Sequence, residues 1–357
     1  MRIAQIAPLT ESVPPRLYGG TERVVAYLTE ELVRQGHDVT LFASGDSATS
    51  ARLVGCVPRA LRLDPAVSDA IPHHLVMLDK VRQRAREFDV LHFHIDLLQM
   101  PMQPFFGVPL LTTLHGRLDL PDLQPFYRHF WDTPLVSISD AQRIPMPPVD
   151  WLRTIHHGLP PQLYPFRRDR GDYLAFLGRI SPEKRPDRAI EIAMRAGIRL
   201  KIAAKIDKVD NAYWQEQIAP LVRGNPLVEF VGEIGDADKG AFLGGAAAVL
   251  FPVDWPEPFG LVMIEAMACG TPVVAFRSGS VPEVIDHGLT GFIVGSINEA
   301  VDAVHCTALL DRSAIRATFE RRFSVERMAC DYVELYDMLS RRGRIATLPE
   351  AMLQISA

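Results

Sequence analysis

Between Glu257 and Phe276 the chain has little conformational freedom. An acidic, Pro-flanked loop, Glu257-Pro258, leads through Phe259 and Gly260 into good helix formers that stop at Gly270, and Pro272 to Phe276 then reads as an apolar strand. A helix and a strand that are both apolar have no solvated face, so the segment predicts a loop, a helix and a buried parallel strand layered between helices. It carries two carboxylates, Glu257 and Glu265, into that setting. On one helix they would lie about 12 Å apart along the axis. A buried carboxylate needs a partner or a ligand, and a helix N-terminus favours an anion beside it. Glycosidase acid pairs face each other across one bond at roughly 5–9.5 Å, so this spacing better suits a long ligand held at two points.

The 357 residues accommodate two domains of about 150–180 residues each. A hydrophobic content of 48% and a charged content of 23% describe an ordinary globular protein. The net charge of −5 argues against nucleic acid as the main partner. Basic clusters at Arg82/Arg84/Arg86, Arg167/Arg168/Arg170 and Arg341/Arg342/Arg344 read first as solvated faces, and only weakly as membrane or anion contacts. Cys56, Cys269, Cys306 and Cys330 show neither disulfide nor zinc spacing. Pro8 interrupts the N-terminus too early for a signal peptide, and no run suggests a membrane span. A cytoplasmic protein is expected.

Both halves open in the same way. Residues 2–7 form a strand, a loop with Gly19-Gly20 follows, and Thr21 is placed to cap a helix with Val24, Val25, Leu28, Leu32 and Val33 on one stripe and Gly36 at its end. Further strands are expected at 39–43, 89–94, 110–114 and 135–139. A linker-like stretch runs from about Trp151 to Gly171. The pattern then restarts with a strand at 173–178, a loop, and a helix from Pro186 with Ile190, Ala193 and Met194 inward. Strands at 200–204, 228–232, 247–251 and 272–276 follow. The reading is α/β, with two doubly wound, Rossmann-like parallel-sheet domains facing each other across a cleft. The boundaries are placed at 1–165 and 171–323, with a C-terminal helix and tail over 324–357.

Several loops carry chemistry. Arg179 and Lys184 set two positive charges in a strand-to-helix loop, an arrangement suited to a pyrophosphate. Gly19-Gly20 permits close backbone approach but is not a G-x-G-x-x-G dinucleotide motif. His115-Gly116 ends a strand, as do Glu233-Ile234 and the 201–206 stretch. His92, His94 and Asp96 have the H-x-H-x-D spacing of two-metal hydrolases, but position 97 is Leu97, and strand alternation explains the pair of histidines equally well.

The E-P-F-G-L-x-x-x-E run from Glu257 to Glu265, with A-x-G-x-P-V-V-A after it, resembles the signature of retaining family-4 glycosyltransferases. The matched segments span both halves. The resemblance implies a GT-B fold whose last helix crosses back onto the first domain, and transfer of a sugar from a nucleoside diphosphate donor to an acceptor hydroxyl; UDP is expected over GDP or ADP only as the commoner nucleotide. It implies that Arg179 and Lys184 bind the diphosphate, Glu257 the sugar hydroxyls and Glu265 the ribose. The backbone of Phe259, Gly260 and Leu261 would line the sugar, with Val262 near the phosphates. Glu233 and Ile234 would read the base edge, and 201–206 offers a second base wall. Gly19 and Gly20 would meet donor phosphates and acceptor, and His115 the reacting sugar through side chain or backbone. No metal or other cofactor is expected. The acceptor, a glycan, lipid-linked sugar or small molecule, would touch loops 9–20, 96–107 and 115–128. Relatives of this kind often work at the inner face of a membrane, so peripheral contact stays open. A GT-B epimerase or phosphorylase, a non-catalytic sugar-nucleotide sensor, and more remotely a metallohydrolase using His92, His94 and Asp96, are the alternatives.

Overall fold

The computed structural model describes residues 1–16 and 19–346, with side chains to Arg341. The chain forms two units. One contains Met1–Ile138, Met146–Ile155 and the chain from Met328; the other contains Ser139–Pro145 and His156–Arg327.

The first unit is built on strands β1 (Arg2–Ile6), β2 (Asp38–Ser44), β3 (Arg52–Val57), β4 (Val90–Phe93), β5 (Leu110–Thr113), β6 (Leu135–Ser137) and β7 (Trp151–Thr154). All are parallel, in the order β3-β2-β1-β4-β5-β6-β7. One face is apolar in the usual way: Ala4, Ile6, Leu91 and Phe93 pack with Met77, Leu78 and Val81 of the helix Ile71–Arg84. The alternate residues Gln5 and His92, paired in register, lie on the opposite face and are fully buried.

The second unit repeats the plan with β8 (Tyr173–Arg179), β9 (Arg199–Lys205), β10 (Val228–Gly232), β11 (Ala248–Phe251), β12 (Val273–Phe276) and β13 (Gly291–Val294), in the order β10-β9-β8-β11-β12-β13. Counted within each unit, both orders begin 3-2-1-4-5-6, the doubly wound arrangement in which ligands sit beyond the carboxyl ends of the strands where the order reverses. In the second unit that point lies between β8 and β11.

Several sequence expectations need correction. Thr21 lies inside the helix Gly20–Arg34, and Gly19 caps it with φ 156°, a value that a residue without Cβ tolerates best. Met194 is 51% exposed, because the buried stripe of the helix Pro186–Ala196 runs through Ala189, Ile190 and Ala193. Trp151–Thr154, expected as linker, pairs with β6. The second unit begins at His156, not near Gly171, and recruits Ser139–Pro145. Glu283 accounts for much of this: its carboxylate accepts the backbone N–H groups of Asp140 (2.8 Å) and Ala141 (2.7 Å) and meets His156 Nε2 at 3.1 Å. Arg316 secures the next stretch by donating to the carbonyls of Pro161, Tyr164 and Ala268.

The last described helix, Val325–Ala346, belongs to the first unit from Met328, where Tyr332 and Tyr336 are buried. The tail beyond Ala346 and positions 17 and 18 of the first glycine-containing loop lie outside the described residues, as do the side chains of Arg342 and Arg344. Among the described residues, no helix is long and apolar enough to cross a membrane.

Candidate active site

Five parallel strands of the second unit end on one edge, and the loops that follow them collect most of the residues singled out by sequence. Arg179 closes β8, Lys205 closes β9, Glu233 and Ile234 follow β10, and Glu257 follows β11. The turn Ser278–Ser280 follows β12.

The two cations of the Gly178–Pro186 loop are held by carboxylates. Lys184 pairs with Glu257 and lies 5.0 Å from the centre of the Trp255 ring. Trp255 Nε1–H donates to the same Glu257 oxygen at 2.9 Å. Arg179 pairs with Glu183 and faces Asp210 at 3.4 Å and Asp207 at 3.9 Å. These side chains are only partly exposed, from 31% for Glu183 to 11% for Glu257, so their charges act through a medium less screening than water.

Glu257 is fixed from behind by a turn that sequence reasoning missed. Ser280 N–H donates to Glu257 O (3.0 Å), Ser280 Oγ–H to Phe259 O (2.8 Å), and Ser278 Oγ–H to Trp255 O. Between them Gly279 has φ +51°, and a Cβ there would fall 2.3 Å from Glu257 O and 2.4 Å from Glu257 N. Neither backbone atom can yield without moving the carboxylate. Gly279→Ala is therefore expected to displace Glu257 from Lys184 and abolish the activity of this site while thermal unfolding stays cooperative. A variant of normal activity contradicts this buttress. The Ser-Gly-Ser run just past a predicted strand was the available signal.

Gly260 starts the helix Leu261–Ala268 in the left-handed region (φ 78°), and a Cβ there would meet Phe251 and Met263 at 2.8 Å. The Phe259 ring is buried against His157, Phe323 and His156, which leaves its backbone rather than its ring for any ligand. Leu261 and Val262 occupy the first turn, whose N–H groups have no acceptor within the helix.

Glu265 stands apart from Glu257. It is 1% exposed, and its Oε1 accepts from Lys239 Nζ (2.9 Å) and from Tyr164 Oη–H (2.9 Å). Neither partner was anticipated, because one lies 26 and the other 101 residues away in sequence.

In the first unit, Gly19-Gly20 sits at the carboxyl end of β1 and His115 just past β5. His92 does not present a metal-ligand face: its ring nitrogens meet Tyr336 Oη and Thr113 Oγ1, both at 2.7 Å. His94 meets Gln5 Oε1 (2.7 Å) and His115 Nε2 (2.8 Å). Among the described residues, no group of three His, Cys, Asp or Glu side chains is placed to hold a metal ion. Burial holds His92 well below its ordinary pKa and draws His115 down to about 3. The unfolded chain takes up these protons near pH 6.5 and the folded one does not, so stability is lost as pH falls below that value. Each ring contributes up to about 1.4 kcal/mol per pH unit. Burial raises the Asp96 carboxyl to about 6, which works the opposite way over the same window. The rings are therefore the readout: neither should titrate between pH 6.5 and 5 by NMR, and a ring that does contradicts the assignment.

Fold and site together define a class before any particular relative is considered. Over 96% of its length the chain superposes on 98% of the solved structure of AviGT4, a glycosyltransferase involved in avilamycin A biosynthesis, with a TM-score of 0.74 at 24% identity. Anabaena Alr3699/HepE, solved in complex with UDP and glucose, matches 95% of this chain and 100% of its own at a TM-score of 0.72 and 20% identity. The architecture is therefore GT-B. The family model for glycosyl transferases group 1 matches residues 166–318, and that for glycosyltransferase family 4 matches residues 18–144. Phosphatidyl-myo-inositol mannosyltransferase of Mycobacterium leprae is 27% identical over 96% of this chain and 98% of its own length. The chain belongs to glycosyltransferase family 4.

Proposed function

We propose that the chain is a retaining hexosyltransferase that takes its sugar from a nucleoside diphosphate donor, UDP-linked, and passes it to an acceptor hydroxyl without a metal ion. The carrying observation is the pair of cation–carboxylate contacts, Arg179–Glu183 and Lys184–Glu257, beyond the carboxyl ends of the second unit's strands. A diphosphate brings the charge that those carboxylates now supply, so donor binding exchanges one set of ion pairs for another. Lys184 turns to the diphosphate, and Glu257, still held by Trp255 N–H, is released toward the sugar hydroxyls. Glu265, oriented by Lys239 and Tyr164, accepts from the ribose hydroxyls, and Glu233 and Ile234 meet the base edge. The N–H groups that open the helix at Leu261 and Val262 add positive field at the phosphates. Gly19, Gly20 and His115 keep the donor contacts that the family pattern gives them. His115 would act through its peptide, because its Nε2 already meets His94.

In the reaction, the bond from the sugar's C1 to the phosphate oxygen breaks, and the acceptor oxygen bonds to C1 on the same face. The acceptor's proton passes to the departing phosphate oxygen. Arg179 and Lys184 stabilise the charge that grows there. The choice of UDP follows the UDP complex of Alr3699/HepE. Peripheral membrane contact and the acceptor's identity belong to the same proposal and are set by the first unit's loops.

The test needs no acceptor. UDP-α-glucose is incubated with the protein and a chelator, and the anomer of the first glucose released to water is read by NMR. The α-anomer with undiminished rate is expected. The β-anomer contradicts retention, and loss of activity to the chelator contradicts metal independence.

A further inference from the structure

A parallel sheet buried on both faces is normally apolar on both, yet one face of the first unit's sheet carries a row of polar side chains that extends well beyond the candidate site. Gln5 on β1, His92 and His94 at the end of β4, Thr113 on β5, and Tyr332 and Tyr336 of the C-terminal helix are all at most 1% exposed. They form one hydrogen-bonded line: Tyr332, Thr113, His92, Tyr336, Gln5, His94, His115. Its contacts are 2.9, 2.7, 2.7, 3.0, 2.7 and 2.8 Å in that order. The rings also pack on one another, with His92 and His94 centroids 3.9 Å apart and His94 and His115 centroids 5.1 Å apart.

With the Gln5 amide turned so that Nε2 faces Tyr336 and Oε1 faces His94, the directions of the bonds between Thr113 and His115 follow. Gln5 donates through Nε2 to Tyr336 Oη, so the Tyr336 proton goes to His92 Nδ1. His92 then donates from Nε2 to Thr113, whose hydroxyl also meets Tyr332 Oη. On the other side Gln5 Oε1 can only accept, so His94 carries its proton on Nε2. With a single ring proton on Nε2, His94 accepts at Nδ1 and His115 donates to it from Nε2. Turning that amide group over would reverse the bonds from Thr113 to His115 and move the His115 proton to Nδ1. Burial keeps the His92 and His115 rings neutral at ordinary pH, so neither ring takes up an extra proton.

We infer that Gln5 and His94 are positioning residues for His115, fixing it as the Nε2–H tautomer and thereby holding the His115-Gly116 peptide at the end of β5 in one orientation. The consequence for turnover rests on the proposed function, in which that peptide meets the donor sugar. The orientation itself does not rest on it.

The experiment uses the full chain with 15N-labelled histidine. Long-range proton–nitrogen spectra should show His115 as the Nε2–H tautomer throughout pH 5 to 9; the Nδ1–H form overturns the inference. Two variants then separate positioning from simple stability. His94→Leu removes the acceptor, and His94→Asn keeps an oxygen where Nδ1 now lies. With UDP-glucose as the probe, His94→Leu should lower kcat on the order of tenfold to a hundredfold, with little change in KM or in UDP affinity, and mix the His115 tautomers. His94→Asn should restore most of both. A folded His94→Leu protein with unchanged kcat and a single His115 tautomer overturns the inference. If the wild-type chain turns over no sugar nucleotide, the proposed function falls, and the tautomer spectra still decide the positioning claim.

Discussion

Alanine at Glu257 is expected to cut sugar transfer by on the order of 10²–10³-fold while leaving nucleoside diphosphate affinity unchanged or slightly higher. The first half follows from the role proposed for the carboxylate: hydrogen bonds that strengthen as charge develops on the sugar are worth roughly 2.7–4 kcal/mol when one donor or acceptor is removed. The second half is particular to this geometry. Glu257 is the counter-ion of Lys184, so removing it frees the cation for the diphosphate. A residue that bound the nucleotide directly would lose affinity on substitution, and this one should not. Isothermal calorimetry with UDP beside a turnover assay reads both quantities from one preparation. A large loss of UDP affinity would place Glu257 on the nucleotide rather than the sugar.

Glu265 should behave in the opposite way. Its carboxylate sits with Lys239 and Tyr164 in a pocket that excludes water almost completely. Alanine there removes the nearer of the two carboxylates facing Lys239 and leaves only Asp236, at 3.5 Å; breaking a buried pair costs up to about 3–5 kcal/mol of stability. Binding lost in that variant would therefore be ambiguous. Glu265→Gln keeps an oxygen for Tyr164 and much of the shape, and it removes only the charge and one acceptor. UDP affinity should fall by about tenfold or more in this variant, which corresponds to roughly 1.4 kcal/mol or above, and uracil alone should show no comparable difference. Unchanged UDP affinity in a folded Glu265→Gln protein removes the ribose assignment.

These expectations were partly legible in the chain itself. The run from Glu257 to Phe276 is read correctly as loop, helix and strand because its composition leaves no solvated face, and β11 and β12 pair as that reading requires. The restart at residue 173 is legible for a similar reason: Gly178 to Pro186 separates an apolar strand from an amphipathic helix. What escaped was marginal in pattern or distant in sequence. β3 begins with Arg52, contains Gly55 and is only partly buried over its first four residues, so it carries no clean alternation. β7 hides in a Pro-rich stretch, and β13 has only four residues, Gly291 to Val294. The turn behind Glu257, the partners of Glu265 and the line from Gln5 to His115 all join residues far apart in the chain, where no local spacing announces them. The H-x-H spacing of His92 and His94 illustrates this: the pattern also fits a metal pair, and only the placement of Gln5, Thr113 and Tyr336 on the same face shows what the rings bind.

The central claim is that Arg179 and Lys184 supply the charge for a sugar-nucleotide diphosphate, and calorimetric titration of nucleoside diphosphates with chelator present tests it most directly. Chelator-insensitive binding of UDP by the wild-type chain, weakened tenfold or more in Lys184→Ala, is the predicted result. Binding that requires added metal, or no binding by any nucleoside diphosphate, would contradict the account.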